Sequence, residues 1–232
     1  MSDGRDFEEL YKVTGYRFKN EKLLNIALTH SSYASEHKLG YERNNERLEF
    51  IGDAYVDAVV GSELFDILPV AHEGSLSRCR ADVVREDSLA DAAREMGLGS
   101  FLYLGKGEDA SGGRDKDSIL ADAFEALMGA IIIDGGYEEG KKVILKVLDE
   151  RIKLASRGKL NKDYKTRLQE LLQDKYHSVQ ITYSIVDQTG PDHSKVFTMQ
   201  VEAGGKVLGK GTGRSKAKAE QAAAHDALSK GV

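Results

Sequence analysis

The sequence predicts two domains of different class: an all-α domain, then a smaller α+β domain of order α-β-β-β-α. Three observations carry that prediction. From Asp6 to about Ala155 the apolar residues recur at helical spacing, with no convincing period-two stretch. A short polar segment, Ser156-Arg157-Gly158-Lys159-Leu160-Asn161-Lys162-Asp163, then interrupts the pattern as a linker does. Beyond it, one helical stretch gives way to strand-like alternation and closes on an alanine-rich helix. The expected boundaries are 1–155, a linker over 156–163, and 164–232.

In the first domain, helices are expected near 6–13, 21–29, 44–68, 75–86, 87–96, 116–134 and 137–155. Pro69 ends the third, because its ring clashes with the preceding turn and it has no N–H to donate. Asp87-Ser88 offers an N-cap for the fifth, since a short side-chain oxygen can accept from the open N–H groups of a first turn. Gly105 to Gly113 reads as a flexible loop feeding the helix over 116–134. In the second domain, Tyr164 to Tyr176 reads as a helix. Residues 179–187 and 195–203 alternate as strands, Lys206 to about Thr212 forms a third, and Ser215 to Leu228 returns to helix.

Composition narrows the class. With 232 residues, 41% of them hydrophobic and 31% charged, the chain has the balance of a soluble globular protein rather than a disordered or membrane one. The N-terminal residues Met1 to Asp6 have no apolar core of signal-peptide length, and no run approaches eighteen apolar residues, so a cytoplasmic protein without membrane partners is expected. A single cysteine, Cys79, excludes an internal disulfide and a cysteine-based zinc cluster, and reads as a small helical core residue. The net charge of −5 hides an asymmetry. Residues 162–232 hold 11 Lys and Arg against 8 Asp and Glu, whereas the rest hold 22 against 30. The tail is a candidate anion binder on an acidic body.

Two pairs of carboxylates stand out in that body. Glu49 and Asp53 are one turn apart on one face of an apolar helix, with Glu46 and Asp57 extending the stripe. Like charges stacked at this spacing cost about a few tenths of a kcal/mol per pair, so a buried face needs a compensating charge. Asp122 and Glu125 are the only charges among the sixteen residues after Asp117, in a run apolar enough to be buried. Carboxylates are rarely buried unless paired or metal-bound. A solvated face or a salt bridge explains any one of these acids, but is a poor account of both pairs together. Hard oxygen donors without a His/Cys cluster favour Mg²⁺, with Mn²⁺ as a substitute.

The tail's sharpest feature is Gly209-Lys210-Gly211-Thr212-Gly213-Arg214-Ser215-Lys216-Ala217-Lys218. Lys206 to Lys218 contains five cations and no acid, placed where a strand turns into a helix whose N–H groups favour phosphate. The glycine spacing fits neither a dinucleotide fingerprint nor a P-loop. Together with Lys165-Thr166-Arg167-Leu168-Gln169-Glu170 and Gly190-Pro191-Asp192-His193, this run resembles the double-stranded RNA-binding domain over roughly residues 162–231. The resemblance implies contacts to two successive minor grooves and the phosphates between them, mainly by shape. It places them on Thr166, Gln169, Glu170, His193, Lys216 and Lys218.

In the body, Asn45-Glu46-Arg47-Leu48-Glu49-Phe50-Ile51-Gly52-Asp53 resembles the signature of ribonuclease III. Thr29-His30-Ser31-Ser32-Tyr33 upstream and Asp117 to Ala126 downstream match that family in order and distance. One departure is Ser35, where relatives often carry asparagine. The resemblance implies a homodimeric, Mg²⁺-dependent endoribonuclease of double-stranded RNA, leaving 5′-phosphate and 3′-hydroxyl ends with short 3′ overhangs and processing ribosomal and other structured precursors. It makes Glu49, Asp53, Asp122 and Glu125 metal ligands, with Asp53 and Glu125 catalytic. Glu46 becomes an auxiliary acid, Glu73 a secondary position near the partner's site, and Phe50 an apolar knob inserted into the partner subunit.

Residue chemistry alone is compatible with that assignment. Phe50 follows Glu49 directly, so it projects about 100° from the metal face, an intramolecular core position being the alternative. Gly52 costs the helix about 1 kcal/mol relative to alanine, which points to close approach of another backbone. Together the two residues suggest that this helix also joins two subunits. Competing classes are a double-stranded RNA-binding protein without catalysis and a phosphohydrolase acting on nucleotides, the latter leaving the tail without a purpose.

Overall fold

In the computed structural model, which describes residues 6–158, 160, 164–176, 179–190 and 195–231, the chain divides into two units, 1–160 and 161–232. The first is helical: α1 (Glu8–Thr14), α2 (Glu21–Ala27), α3 (Ser31–Glu36), α4 (Glu46–Ile67), α5 (Glu73–Val84), α6 (Glu86–Glu95), α7 (Lys106–Ala110), α8 (Asp117–Gly135) and α9 (Tyr137–Ser156). Among the described residues its only β pairing is one parallel bridge, Thr29 with Tyr103. None of the described helices is long and apolar enough to cross a membrane.

Helix α8 is the axis of this unit. Leu120, Phe124, Leu127, Met128 and Ile131 are fully buried on it, and a helix that is apolar on every side must be surrounded. Helices α2, α4, α6 and α9 pack against it. The approach of α4 is the closest: a Cβ on Gly52 would collide with the Glu125 carbonyl, and one on Gly129 with that of Leu48. The backbone approach expected at Gly52 is therefore met inside the chain by α8, and Gly52 carries no argument for a subunit contact. Helix α4 stops at Ile67, with Leu68 out of helical geometry ahead of Pro69, as the proline demands.

Three details depart from expectation. Helix α3 is a short addition, stabilised because the His30 side chain caps it, accepting the Ser32 N–H at 3.2 Å. The segment 105–113 is not a flexible loop, since it holds α7 and the start of a 3₁₀ turn over Gly113–Asp115. Arg114 fixes it by pairing with Asp109 at 2.8 Å and donating to the carbonyls of Gly99 and Leu102 at 3.0 and 2.9 Å. From the other side, the Ser32 hydroxyl accepts the Gly105 N–H and Glu36 accepts that of Lys106. Finally, Arg85 is the N-cap residue of α6, while Asp87 lies within the first turn and pairs with Arg85 at 2.6 Å.

The second unit comprises α10 (Tyr164–Tyr176), β1 (Ile181–Thr189), β2 (Val196–Ala203), β3 (Lys206–Gly213) and α11 (Lys216–Ser229). Its antiparallel sheet has the order β1-β2-β3. Gly204 and Gly205, at φ 56° and 76°, form the two-residue turn between β2 and β3, where both central positions need left-handed backbone. Leu168 and Leu172 of α10 and four alanines of α11 cover Met199, Val201 and Ala203 of the sheet. Strand β1 ends two residues beyond expectation because a bulge between Ile185 and Asp187 breaks the alternation that would mark its register.

Candidate metal centre

The α4–α8 crossing draws acids together. Leu48 touches Gly129 and Gly52 touches Glu125, so the side chains of Glu49 and Glu125 emerge beside the contact, with Asp122 one turn before Glu125. Glu49, Asp122 and Glu125 each offer a carboxylate oxygen, the three oxygens lie within 4.8 Å of one another, and all three residues are half-buried. Asp53 stands one turn beyond Glu49, more exposed and outside this tight group.

The electrostatics are those of a charge trap. Burial, then repulsion from Asp53, Glu49, Asp122 and Asp57, pushes the Glu125 carboxyl up to about 8. Glu49 is raised by burial and by Asp122, Glu46 and Asp53. Asp122 is raised by burial and by Glu86 at the start of α6, with His30 opposing. Such a group is stable when protonated or when a cation neutralises it. Carboxylate oxygens without nitrogen or sulfur donors fit a hard divalent ion.

The other expected residues are placed as follows. Glu46, the first residue of α4, is half-buried, and its carboxylate is close enough to the Tyr41 hydroxyl to raise that group above its ordinary value. Glu73 opens α5 away from the tight cluster, exposed, accepting from the Ser77 hydroxyl at 2.8 Å. Phe50 is 78% exposed. Beside it runs a groove of about 730 Å³ whose apolar lining includes Leu23, Ile26, Tyr41, Leu48, Ile51 and Ile133.

Several contributors escape a sequence reading. Asn44 and Asn45 are buried, with the Asn44 side chain accepting the Glu46 N–H at 3.2 Å and the Asn45 N–H donating to the Thr29 carbonyl at 2.9 Å. They set the entry of α4, and two consecutive asparagines directly ahead of an apolar helix are the signal that could have found them. Glu86 offered no such signal, being one of several acids opening an ordinary helix.

In the second unit, Thr166 and Gln169 are exposed on α10 and Glu170 is half-buried. Helical geometry puts the three within about 100° of one another, on a face centred about 130° away from the buried Leu168 and Leu172. Lys216 and Lys218 are exposed in the first turn of α11, where the Ser215 hydroxyl accepts the Lys218 N–H at 3.2 Å. The alternating Gly209, Gly211 and Gly213 face α11: a Cβ on any of them would strike its backbone near Ala219, Ala222, Ala223 or Ala227. They seat the helix on the sheet. His193 lies outside the described residues.

Comparison with known proteins gives this arrangement its context. Residues 20–152 match the family model described as Ribonuclease-III-like, and residues 164–230 that of the double-stranded RNA binding motif. The chain is 52% identical over 221 residues to a protein named Ribonuclease 3 from Caldanaerobacter subterraneus subsp. tengcongensis, covering 95% of this chain and 96% of that one. It is 48% identical over 231 residues to Ribonuclease 3 of Pelotomaculum thermopropionicum, covering 99% and 95%. Among solved structures, the nuclease domain of ribonuclease III from Campylobacter jejuni superposes with a TM-score of 0.58 at 41% identity, covering 63% of this chain and 98% of that chain.

Proposed function

The chain belongs to the ribonuclease III family, and from that premise we propose that it cuts double-stranded RNA with Mg²⁺ held by Glu49, Asp53, Asp122 and Glu125. The observation that carries this reading is the half-buried trio of carboxylates on two crossing helices, with Glu125 raised to about 8. When bound, the ion lowers the pKa of water and offsets charge developing on the phosphate oxygens.

The protein's own residues hold that chemistry in place. The glycine-lined crossing fixes Glu49 against Glu125, so little reorganisation is left for the moment of reaction. Glu125 holds a proton near neutral pH and surrenders it when positive charge enters the cluster. Asp53 completes the donor set from the more exposed side and, with Glu125, acts on the reacting phosphate. Glu46 supports the site as an auxiliary acid beside Glu49, and Glu73 serves near the partner's site.

Two copies act together in this reading. Phe50, too exposed for an ordinary aromatic side chain, inserts into the neighbouring groove of a second copy, pairing the nuclease domains so that each cuts one strand. The products carry 5′-phosphate and 3′-hydroxyl ends with short 3′ overhangs. The domain over 164–232, joined by residues 156–163 to the endonuclease over 1–155, contacts the duplex through Thr166, Gln169, Glu170, His193, Lys216 and Lys218. Ribosomal and other structured precursors in the cytoplasm are the substrates. The test incubates a long duplex RNA with Mg²⁺ and either the native protein or Glu125→Gln. Native protein should cleave, with Mn²⁺ substituting, and the variant should not. Intact RNA with the native protein, or equal cleavage by both, overturns the reading.

A further inference from the structure

A second concavity in the nuclease unit has a different chemistry. It encloses about 310 Å³ and is lined by Lys22 and Asn25 of α2, Tyr33 of α3, His37, Arg43 and Tyr103, among others. No Asp or Glu lines it among the described residues. Its aromatic side is pre-built: the Tyr33 and His37 rings stack with centroids 3.9 Å apart at 22°, and Tyr103 lies 5.4 Å from Tyr33. The Tyr103 hydroxyl is held by Asn25 at 3.1 Å, and the His37 imidazole by the Tyr33 carbonyl at 3.0 Å, so these rings are ordered without a ligand. The floor is equally fixed, because Tyr103 exchanges backbone hydrogen bonds with Leu28 and His30.

The cations at the rim are less committed. Lys22 and Arg43 are exposed, and Arg43 meets Glu42 only at 3.7 Å, with both side chains largely in water. A planar surface beside two available cations recognises a flat ring joined to an anion. The volume lies at the small end of ligand pockets, about 300–1,000 Å³, which admits one nucleotide and excludes a duplex.

We propose that this pocket binds a nucleoside monophosphate, with its base against the Tyr33–His37 surface and its phosphate between Lys22 and Arg43. Stacking tolerates any base, whereas the guanidinium fork and the ammonium fix the phosphate. The same moiety occurs as a free nucleotide and as the 5′-phosphorylated end of an RNA strand. The pocket is separate from the carboxylate cluster, so its occupancy does not depend on the metal reading.

The test is calorimetry on the full chain with AMP, UMP, adenosine and inorganic phosphate, followed by a 5′-phosphorylated and a 5′-hydroxyl tetranucleotide. AMP should bind at least about tenfold more tightly than adenosine or phosphate alone. A Lys22→Glu, Arg43→Glu variant should weaken it by about tenfold or more, while Lys216→Ala, Lys218→Ala should leave it unchanged. His37→Ala gives an independent check, since loss of the stacked ring should weaken AMP but not phosphate. Competition by the phosphorylated tetranucleotide assigns the site to RNA ends, and its absence assigns it to free nucleotides. No binding at millimolar AMP, equal affinity for phosphate, or indifference to both pocket variants overturns the proposal.

Discussion

The α4–α8 crossing and the α11–β3 contact are built with the same tool and put to opposite uses. In each, glycines let two backbones touch where any side chain would hold them apart. At Gly52 and Gly129 the approach strands acids in a half-buried cluster that costs free energy until positive charge arrives. At Gly209, Gly211 and Gly213 it seats an alanine-rich helix, and the charged residues at that helix start, Lys216 and Lys218, stay in water. Close approach is thus an architectural device whose chemical meaning is set by the side chains next to it.

The sharpest way to separate the two is to alter the charges and leave the glycines. Glu125→Gln should lower cleavage of duplex RNA by about 10³-fold or more in a single-turnover assay, since the proposed site loses one of its four carboxylates. Binding to the same duplex in Ca²⁺ should stay native. Loss of binding in parallel would mean that the cluster serves the surface rather than the reaction.

Altering the glycines tests the shared device. Gly52→Ala forces α4 away from the Glu125 carbonyl, and overpacking of this kind costs about 1–3 kcal/mol. Displacing Glu49 from Glu125 by about an ångström should also reduce cleavage about 10²-fold. Gly211→Ala should cost the second unit a similar about 1–3 kcal/mol while leaving cleavage at saturating RNA intact. Full activity in Gly52→Ala would show that the crossing does not position the acids.

Much of this was legible in the chain and some was not. Helical periodicity marks α4, α8, α9 and the change of class in the second unit, because burial of whole faces writes a period into the sequence. The i, i+4 spacing of Glu49 and Asp53 announces a shared face, yet it says nothing of distance, and Asp53 stands apart from the tight trio. The segment at 105–113 looked like a loop because glycines weaken helices, whereas its order comes from Arg114 and from α3. The glycines of β3 match no phosphate-binding fingerprint, and their purpose escapes the sequence because only the tertiary contact reveals that they face α11.

The exposed lysines give a smaller effect. Lys216→Ala with Lys218→Ala should reduce the slope of log affinity against log salt by about 2, one per phosphate contact, across all duplex sequences alike. An unchanged slope would remove these residues from the interface.

The smallest effect concerns stability, and its sign is unusual for a carboxylate. In the metal-free folded protein Glu125 titrates at about 8, against 4.5 for an unperturbed glutamate, so between these values the folded state holds the extra proton. The stabilisation is fully present below 4.5 and is lost as pH rises through about 8. Glu49 and Asp122, also raised, act in the same direction. Glu95, lowered by Arg151, acts in the opposite one, its contribution being lost as pH falls. A comparison of native protein with Glu125→Gln in EDTA therefore isolates the cluster. The variant should gain on the native protein as pH rises from 6 to 9, by about 1–2 kcal/mol once solvent screening is allowed for. That amounts to several degrees in melting temperature at about 2–4 °C per kcal/mol. Saturating Mg²⁺ should reverse the order, because the cation rewards the charged carboxylate that the glutamine cannot supply. A difference that stays flat with pH would mean that the crossing holds its acids in water after all.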